Sequence, residues 1–300
     1  MEVVTETVTA CAWCQSALDG RAARLQGRVR CSSCGAATTD PWPSKEQLAA
    51  AYGTWYRPDA GRFGSLGDAL LRRSRALQAG RIDRVAPPGP VLDVGAGEGV
   101  LVDALRRRGR KAVGLERESR RPDVRDEPLE EIDGEWAAVV FWHSLEHLPS
   151  AHDAIREATR LLRRGGVVAI AVPNADSLQA RGFGDRWLHL DPPLHLVHLT
   201  ERALLTGLEE AGLAVERVSH VRGGQIVIGW LDGLVGSLPS HPRLYQALRR
   251  PEARSGVMSA PRRAATVAAG TLLFPLAAVL AALEVAGRRS GTVYVEARRD

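Results

Sequence analysis

The four cysteines of this 300-residue sequence form two C-x2-C pairs, Cys11 with Cys14 and Cys31 with Cys34, separated by 16 residues. Each pair can direct two thiolates toward one metal ion, and two pairs complete a tetrahedral shell. Disulfides or a redox C-x-x-C are disfavoured, because the first residues contain no secretory signal and no thioredoxin-like βαβ pattern surrounds the cysteines. We therefore expect a structural zinc ion in a ribbon over residues 1–40, which cannot bury a core of its own.

A glycine-rich turn follows a short apolar strand and opens a helix. Its glycines Gly95, Gly97 and Gly99 let the backbone approach a ligand closely, and the helix N-terminus directs free N–H groups at that ligand. Asp93 precedes the turn, and Glu116 ends the next strand 19 residues beyond Gly97, where a carboxylate can accept both hydrogen bonds of a ribose. The pattern is G-x-G-x-G, and Asp93 suits a ligand with an amino group and no pyrophosphate. These features favour S-adenosylmethionine (SAM) over NAD.

Five of the eight histidines form two clusters. The first, His143-Ser-Leu-Glu146-His147, follows an apolar strand at the edge where open α/β sheets place their ligands. It matches the H-x-x-E-H of inverted zinc peptidases, but that motif needs a long helix and Pro149 ends any such helix. The second cluster consists of His189, His195 and His198.

Apolar strands alternate with amphipathic helices along most of the chain. The predicted strands are 91–94, 112–115, 137–142, 167–172, 214–221 and 292–297, and the predicted helices include 150–163 and 200–211. This alternation indicates an α/β fold with a mostly parallel sheet covered by helices on both faces.

Segments 91–99, 141–149 and 161–174 together resemble the class I SAM-dependent methyltransferases, and the likeness covers about residues 40–225 and 291–300. The cysteine-rich start, followed by residues 41–52, resembles a subgroup with a zinc ribbon ahead of the catalytic domain. Members of that subgroup often act on sugars, lipids or natural products. The resemblance implies a Rossmann-like, mostly parallel seven-stranded sheet with helices on both faces. Ala137-Ala138 departs from the family, which usually has an aspartate before the fourth strand.

The sequence and the resemblance together predict four parts. They are a zinc ribbon at 1–40, a helical lead covering the cofactor site at 41–88, the SAM-binding methyltransferase domain at 89–222 plus 291–300, and a hydrophobic helical insert before the last strand at 223–290.

The resemblance also assigns the cofactor site. Asp93 and the three glycines Gly95, Gly97 and Gly99 would line the methionine end of SAM, and Glu116 would hold the ribose. Asp126 would face the adenine. Tyr56 in the helical lead would contact cofactor or acceptor, with ordinary aromatic packing as the alternative.

For the histidines, the resemblance leaves two interpretations open. Glu146 and His147 match a common Glu-His pair of the family, and the favoured interpretation is a structural one, in which the pair shapes the cofactor pocket. Related O-methyltransferases bind a divalent ion with a similar pattern, so His143, Glu146 and His147 would hold the ion together with His195 or His198. If the acceptor is a hydroxyl, a base is also needed, and the candidate catalytic residues are His147, His143 and His195.

The positive charge of the chain is concentrated near its C-terminal end. The chain carries +5 in total, with −1 over residues 1–221 and +6 over residues 222–300. Together with the apolar segment around Trp230, this charge favours contact of the 223–290 insert with an anionic membrane surface.

The insert contains a long uncharged run at 264–283, between arginine pairs at 262–263 and 288–289. Twenty such residues span about 30 Å as a helix, the thickness of a bilayer core. Gly270, Pro275 and the arginines at both ends argue against a simple span. We expect a bent, partly inserted or surface-lying helix pair, with a buried core helix as the alternative.

The predicted function is SAM-dependent methylation, with oxygen of a small-molecule, sugar or lipid-linked acceptor as the favoured target. One alternative is an RNA (rRNA-type) methyltransferase, but residues 1–221 lack the basic face and the interleaved aromatics that RNA binding requires, so a nucleic-acid partner is disfavoured. A non-catalytic SAM-binding module is the other alternative, and the intact glycine turn argues against it. The expected location is the cytoplasm, with peripheral contact at the inner face of the membrane.

Overall fold

The computed structural model describes residues 7–18, 23–25, 27–53, 61–119, 121–221 and 224–300. In chain order its strands are β1 (Ala23–Leu25), β2 (Arg28–Arg30), β3 (Ala37–Thr39), β4 (Val91–Val94), β5 (Ala112–Leu115), β6 (Val124–Arg125), β7 (Trp136–Trp142), β8 (Leu162–Pro173), β9 (Val197–His198), β10 (Leu213–Ser219) and β11 (Thr292–Arg299). Its helices are α1 (Lys45–Ala51), α2 (Ser65–Val85), α3 (Val100–Arg106), α4 (Ala151–Leu161), α5 (Leu178–Phe183), α6 (Glu201–Glu210), α7 (Gly224–Gly236), α8 (Leu244–Leu248) and α9 (Ala260–Ala286).

Seven strands form the core sheet, in the order β10-β11-β8-β7-β4-β5-β6. β4, β5, β6, β7 and β8 run parallel, whereas β11 lies antiparallel between β8 and β10. The order reverses between β4 and β7, and open α/β sheets bind their ligands at the carboxyl ends of strands at such a point. The predicted mostly parallel seven-stranded sheet is confirmed.

Helices cover both faces of this sheet, as predicted. On one face α2 and α3 contribute the buried residues Ile82, Leu101 and Leu105. On the other face α4 and α6 contribute Ile155 and Leu204 among others. β8 begins five residues before the predicted strand, because Gly165 adopts a φ of +73° and the strand continues through it.

The cysteine-containing ribbon shares its core with the α/β domain. Trp13 is buried against α6, and its indole Nε1 donates a hydrogen bond to the Ala203 carbonyl at 2.9 Å. Gly207 permits this contact, because a Cβ there would lie 2.3 Å from the Trp13 ring. β3 of the ribbon also pairs antiparallel with β9. The ribbon therefore obtains its apolar burial from the domain it packs on.

The insert between β10 and β11 contains α7, α8 and α9. α9 is a single helix of 27 residues that continues through Gly270 and Pro275. The expected helix pair is therefore wrong. α9 packs on α8 before Pro275, where Gly270 contacts Leu244, and buries Ala277 after it. This packing on both sides of Pro275 offsets the one hydrogen bond that proline cannot make.

Candidate active site

A cavity of about 1720 Å³ opens at the carboxyl ends of β4, β5 and β7. The glycine turn after β4 lines one part, and both histidine clusters contribute to its wall. α2 and the insert complete the wall. The fold thus joins two groups of candidate residues that are far apart in the sequence.

The turn after β4 has a conformation that favours glycine. Gly95, Gly97 and Gly99 have φ values of +79°, +55° and +68°. A Cβ on Gly95 would lie 2.3 Å from the Cβ of Ser144, so no side chain fits there. The backbone N–H of Gly97 donates to the Glu116 carboxylate at 2.7 Å. Gly95, Gly97 and Glu116 line the cavity, whereas Gly99 serves the turn as the N-cap of α3.

Asp93 at the end of β4 is a buried carboxyl that faces the cavity. Burial raises its pKa to about 7, the nearby Arg75 acts in the opposite direction, and Glu116 adds to the increase. Arg75 belongs to α2 and lies over the Trp142 ring, 5.3 Å from its centre. Nothing in the sequence distinguishes this arginine from the many others, because its role depends on a contact between α2 and β4.

These residues fit SAM. The cavity offers a buried carboxyl for an ammonium group, a second carboxylate for hydroxyl groups and a glycine backbone at which no Cβ blocks the approach of a ligand. Asp93, Gly95, Gly97 and Glu116 are therefore the residues that could hold the cofactor.

One predicted cofactor residue, Asp126, is not part of the cavity wall. Asp126 is exposed, and its carboxylate accepts the backbone N–H of Glu118 at 3.0 Å. The neighbouring cavity wall is formed instead by residues 127–130. Tyr56 lies outside the described residues.

The first histidine cluster forms a short 3₁₀ turn over Leu145–His147, so the long helix of a zinc peptidase is absent from this described segment. His147 Nδ1 lies 3.0 Å from the Leu194 carbonyl oxygen, and His195 Nδ1 lies 2.8 Å from the His189 carbonyl oxygen. A carbonyl can only accept, so each Nδ1 carries a hydrogen, and in the neutral form of either ring Nε2 holds the lone pair. Two imidazoles thus offer a basic nitrogen.

Glu146 lies beside these rings and is 1% exposed. Its Oε1 is 4.0 Å from His195 Nε2, and its Oε2 has no hydrogen-bond partner among the described residues. Burial raises the pKa of Glu146 to about 7. Burial also lowers the pKa of His147 well below its ordinary value. A positive charge on His195 would lower both pKa values. His147 is therefore neutral at pH 7, and its Nε2 presents a lone pair to the cavity.

The residues that come together differ in part from the predicted ion site. Ligand atoms of Glu146, His147 and His195 lie within 4.8 Å of one another. His143 instead lies between Glu146 and Gln225. His143 Nδ1 is 3.3 Å from Glu146 Oε1, and His143 Nε2 is 2.6 Å from the Gln225 amide nitrogen. His198 is not part of the cavity wall, and its Nε2 lies 3.1 Å from the Thr39 hydroxyl.

The four cysteines also come together, in the ribbon and outside the cavity wall. All four are free thiols whose sulfurs lie within 4.8 Å of one another. The Cys11–Cys34 and Cys14–Cys31 sulfur distances are 3.8 and 3.7 Å. A tetrahedron with Zn–S bonds of about 2.3 Å has S···S edges of about 3.8 Å. The cluster therefore fits a tetrahedral zinc ion.

Comparison with known proteins identifies the class. A family model described as a methyltransferase domain matches residues 63–218, more than half of the chain. The chain therefore belongs to this methyltransferase-domain family.

Two curated relatives agree with this assignment. A ubiquinone biosynthesis O-methyltransferase of Paracidovorax citrulli is 28% identical over 128 residues, covering 36% of this chain and 54% of the relative. A probable S-adenosylmethionine-dependent methyltransferase of Mycolicibacterium smegmatis is 30% identical over 139 residues, covering 42% and 52%. The chain thus spans about half the length of the curated relatives it matches.

Among solved structures, the cyclase SpnF is similar in fold, with a TM-score of 0.51 and 18% identity over 86% of this chain and 96% of SpnF. A fold that is shared with a cyclase does not by itself define the reaction. The site must therefore supply the argument for the acceptor.

Proposed function

We propose that this methyltransferase acts on a hydroxyl oxygen of a small-molecule, sugar or lipid-linked acceptor. The observation that carries the proposal is the group formed by Glu146, His147 and His195, which lies in the same cavity as the glycine turn. A hydroxyl must lose its proton when its oxygen is methylated, and this group supplies imidazole nitrogens beside a buried carboxyl. The O-methyltransferase named among the relatives supports the same class of acceptor.

Cofactor binding in this proposal uses the residues at β4 and β5. Asp93 pairs with the amino group of SAM, Gly95 and Gly97 form the cradle, and Glu116 accepts hydrogen bonds from the ribose. Gly99 contributes by setting the turn. SAM supplies a methyl group already activated on a sulfonium, so alignment of the acceptor provides much of the rate.

The base in this proposal is His147, whose Nε2 takes the proton of the acceptor hydroxyl. Hydrogen bonding of Nδ1 to the Leu194 carbonyl orients the ring. The His195 ring lies beside the His147 ring, with the ring centres 4.7 Å apart, and His143 Nδ1 lies 3.3 Å from Glu146 Oε1. The same set of Glu146, His147 and His195 fits a divalent ion, which would lower the pKa of a bound hydroxyl.

The ribbon in this proposal holds one structural zinc ion on Cys11, Cys14, Cys31 and Cys34. All four ligand positions would be filled by thiolates, so no position stays open for water or substrate. The role of the zinc is therefore to stabilise the ribbon.

The experiment compares methyl transfer from radiolabelled SAM to paired phenol and aniline acceptors, and to a sugar alcohol. We expect transfer to hydroxyl compounds, and a loss of about a hundredfold or more in kcat for His147→Ala, since general base catalysis contributes about 10²–10⁴-fold. His241→Ala removes an exposed histidine outside the cavity wall and should leave the rate unchanged. Loss of activity on treatment with EDTA, restored by Mg²⁺, would support the divalent ion, and transfer only to the amines would exclude O-methylation.

A further inference from the structure

One face of α9 is exposed and apolar along the whole helix. Exposed residues recur every three or four positions, and they include Leu272 at 82%, Val279 at 56% and Leu283 at 59% exposure. The stripe comprises Ala264, Ala265, Ala268, Thr271, Leu272, Pro275, Leu276, Val279, Ala282, Leu283 and Ala286, and Phe274 is exposed outside it at 53%. At 1.5 Å per residue it extends over about 35 Å. A continuous apolar face of this size on a soluble fold marks an interaction surface.

The opposite face of α9 is fixed to the rest of the molecule. The Glu284 carboxylate is buried and accepts hydrogen bonds from the backbone and side-chain nitrogens of Gln179, at 3.0 and 2.8 Å, and from Trp230 Nε1 at 3.0 Å. Gly270 lies against Leu244 of α8. α9 is long and apolar enough to cross a membrane. Crossing would break the hydrogen bonds of Glu284 and the packing of Gly270 against Leu244. The helix can therefore meet a bilayer only with its exposed face.

The charges around the stripe identify the partner. Glu284 is the one acid in the sequence of α9, and it points inward. The arginine pairs at 262–263 and 288–289 are exposed at the two ends of the stripe, and Arg262 and Arg263 also donate hydrogen bonds to the Ser240 and Ala247 carbonyls. A long apolar face with cations at its margins and no exposed carboxylate is complementary to an anionic lipid surface.

We propose that α9 lies in the plane of an anionic lipid bilayer, with its stripe in the acyl boundary and the flanking arginines at the headgroups. α7 and α8, on which α9 packs, also contribute Ile228, Tyr245 and Gln246 to the wall of the cavity. Docking by α9 would therefore hold two elements of the cavity wall next to the membrane-bound helix. The proposal concerns docking alone and does not depend on which atom is methylated.

The experiment is flotation of the full chain with vesicles of phosphatidylcholine, alone or with about 30% phosphatidylglycerol. We expect binding to the anionic vesicles, weakened when salt rises from about 0.1 M to about 1 M. Leu272→Gln with Leu276→Gln should weaken binding about tenfold or more, because two exposed leucines no longer enter the acyl boundary. Arg288→Gln with Arg289→Gln should weaken it by about thirtyfold at low salt.

The matched control is Leu66→Gln with Leu238→Gln, which replaces two exposed leucines outside both α9 and the cavity wall. This control should float like the unchanged protein. SAM affinity, measured by calorimetry on the same samples, should be the same in all variants and shows that they are folded.

Absence of flotation with anionic vesicles would overturn the proposal, and so would equal flotation of the α9 leucine variant. A protein that does not float, but is a dimer that the leucine variant converts to monomers, would assign the stripe to a second copy of the chain. Failure to methylate any hydroxyl, with flotation intact, would count against the proposed function alone.

Discussion

At the scale of single residues, Asp93 combines burial with a place in the cavity wall. An ordinary aspartate is ionised above pH 4, but this carboxyl has a pKa of about 7 because it is buried, with Arg75 opposing the shift. The neutral form, which predominates below this pKa, cannot pair with an ammonium group, whereas the anionic form, which predominates above it, can.

SAM affinity should therefore rise with pH. Between pH 6 and pH 8 the ionised fraction of a group with a pKa near 7 increases about tenfold, and the association constant should follow it. Isothermal titration calorimetry across this range measures the effect, and Asp93→Asn should weaken binding and flatten the profile. Asp126→Asn, at an exposed carboxyl, should keep the profile. A flat profile in the unchanged protein would contradict the role of Asp93.

The glycine turn gives a second prediction at this scale. Gly97→Val places a branched side chain at a φ of +55° in the cavity wall, and Glu116→Ala removes the carboxylate beside it. Each change should lower SAM affinity by about tenfold or more, because the backbone cradle or a charged hydrogen-bond partner is lost. Gly109→Val is the control, since Gly109 has a φ of +80° and open surroundings away from the cavity wall. Unchanged affinity in both site variants would remove the cofactor assignment.

At the scale of elements, the ribbon is tied directly to a candidate site residue. β3 pairs with β9, and the Thr39 hydroxyl donates to the His195 carbonyl at 2.6 Å. β3, which follows Cys31 and Cys34 in the chain, thus holds the backbone of His195 in place. Sequence reasoning missed this link, because it depends on strand pairing between segments about 160 residues apart.

We expect loss of the zinc to reduce methyl transfer without affecting SAM binding. Mass spectrometry should find one zinc ion per chain in the unchanged protein and less in Cys14→Ser. The same variant should have a kcat about tenfold lower, because His195 loses its backbone support. Thr39→Val should act in the same direction and retain the zinc. Thr159→Val, which removes a similar hydroxyl-to-carbonyl bond in α4, is the control. Full activity of a zinc-free protein would contradict this coupling.

At the scale of the whole molecule, ribbon and methyltransferase domain share one core. Cys11, Trp13 and Cys31 belong to the same buried cluster as Leu204 and Leu208 of α6. The boundaries at residues 40, 88, 222 and 290 remain predictions, but shared burial argues that the ribbon does not unfold separately.

Thermal unfolding should accordingly show the ribbon and the domain in a single transition, which a zinc chelator moves to lower temperature as a whole. Trp13→Ala should destabilise the protein by about 3–5 kcal/mol, since it removes a large buried side chain at the joint between ribbon and α6. Differential scanning calorimetry and urea unfolding measure these effects. A separate low-temperature transition that alone responds to the chelator would show independent ribbon unfolding.

The sequence by itself determined the features that depend on residues close together in the chain. The glycine turn after Asp93, the paired cysteines and the strand–helix alternation all have signals within short windows, and the fold class and cofactor class follow from them. The proline at 149 likewise ended the histidine turn before a helix could form.

Tertiary structure alone decided which distant residues meet. It placed Arg75 near Asp93, brought His195 rather than His143 into the ligand group with Glu146 and His147, and left Asp126 outside the cavity. It also kept α9 continuous through Pro275 and chose which face of that helix is exposed. These outcomes depend on packing between elements far apart in the chain, and no local pattern of side chains encodes such contacts.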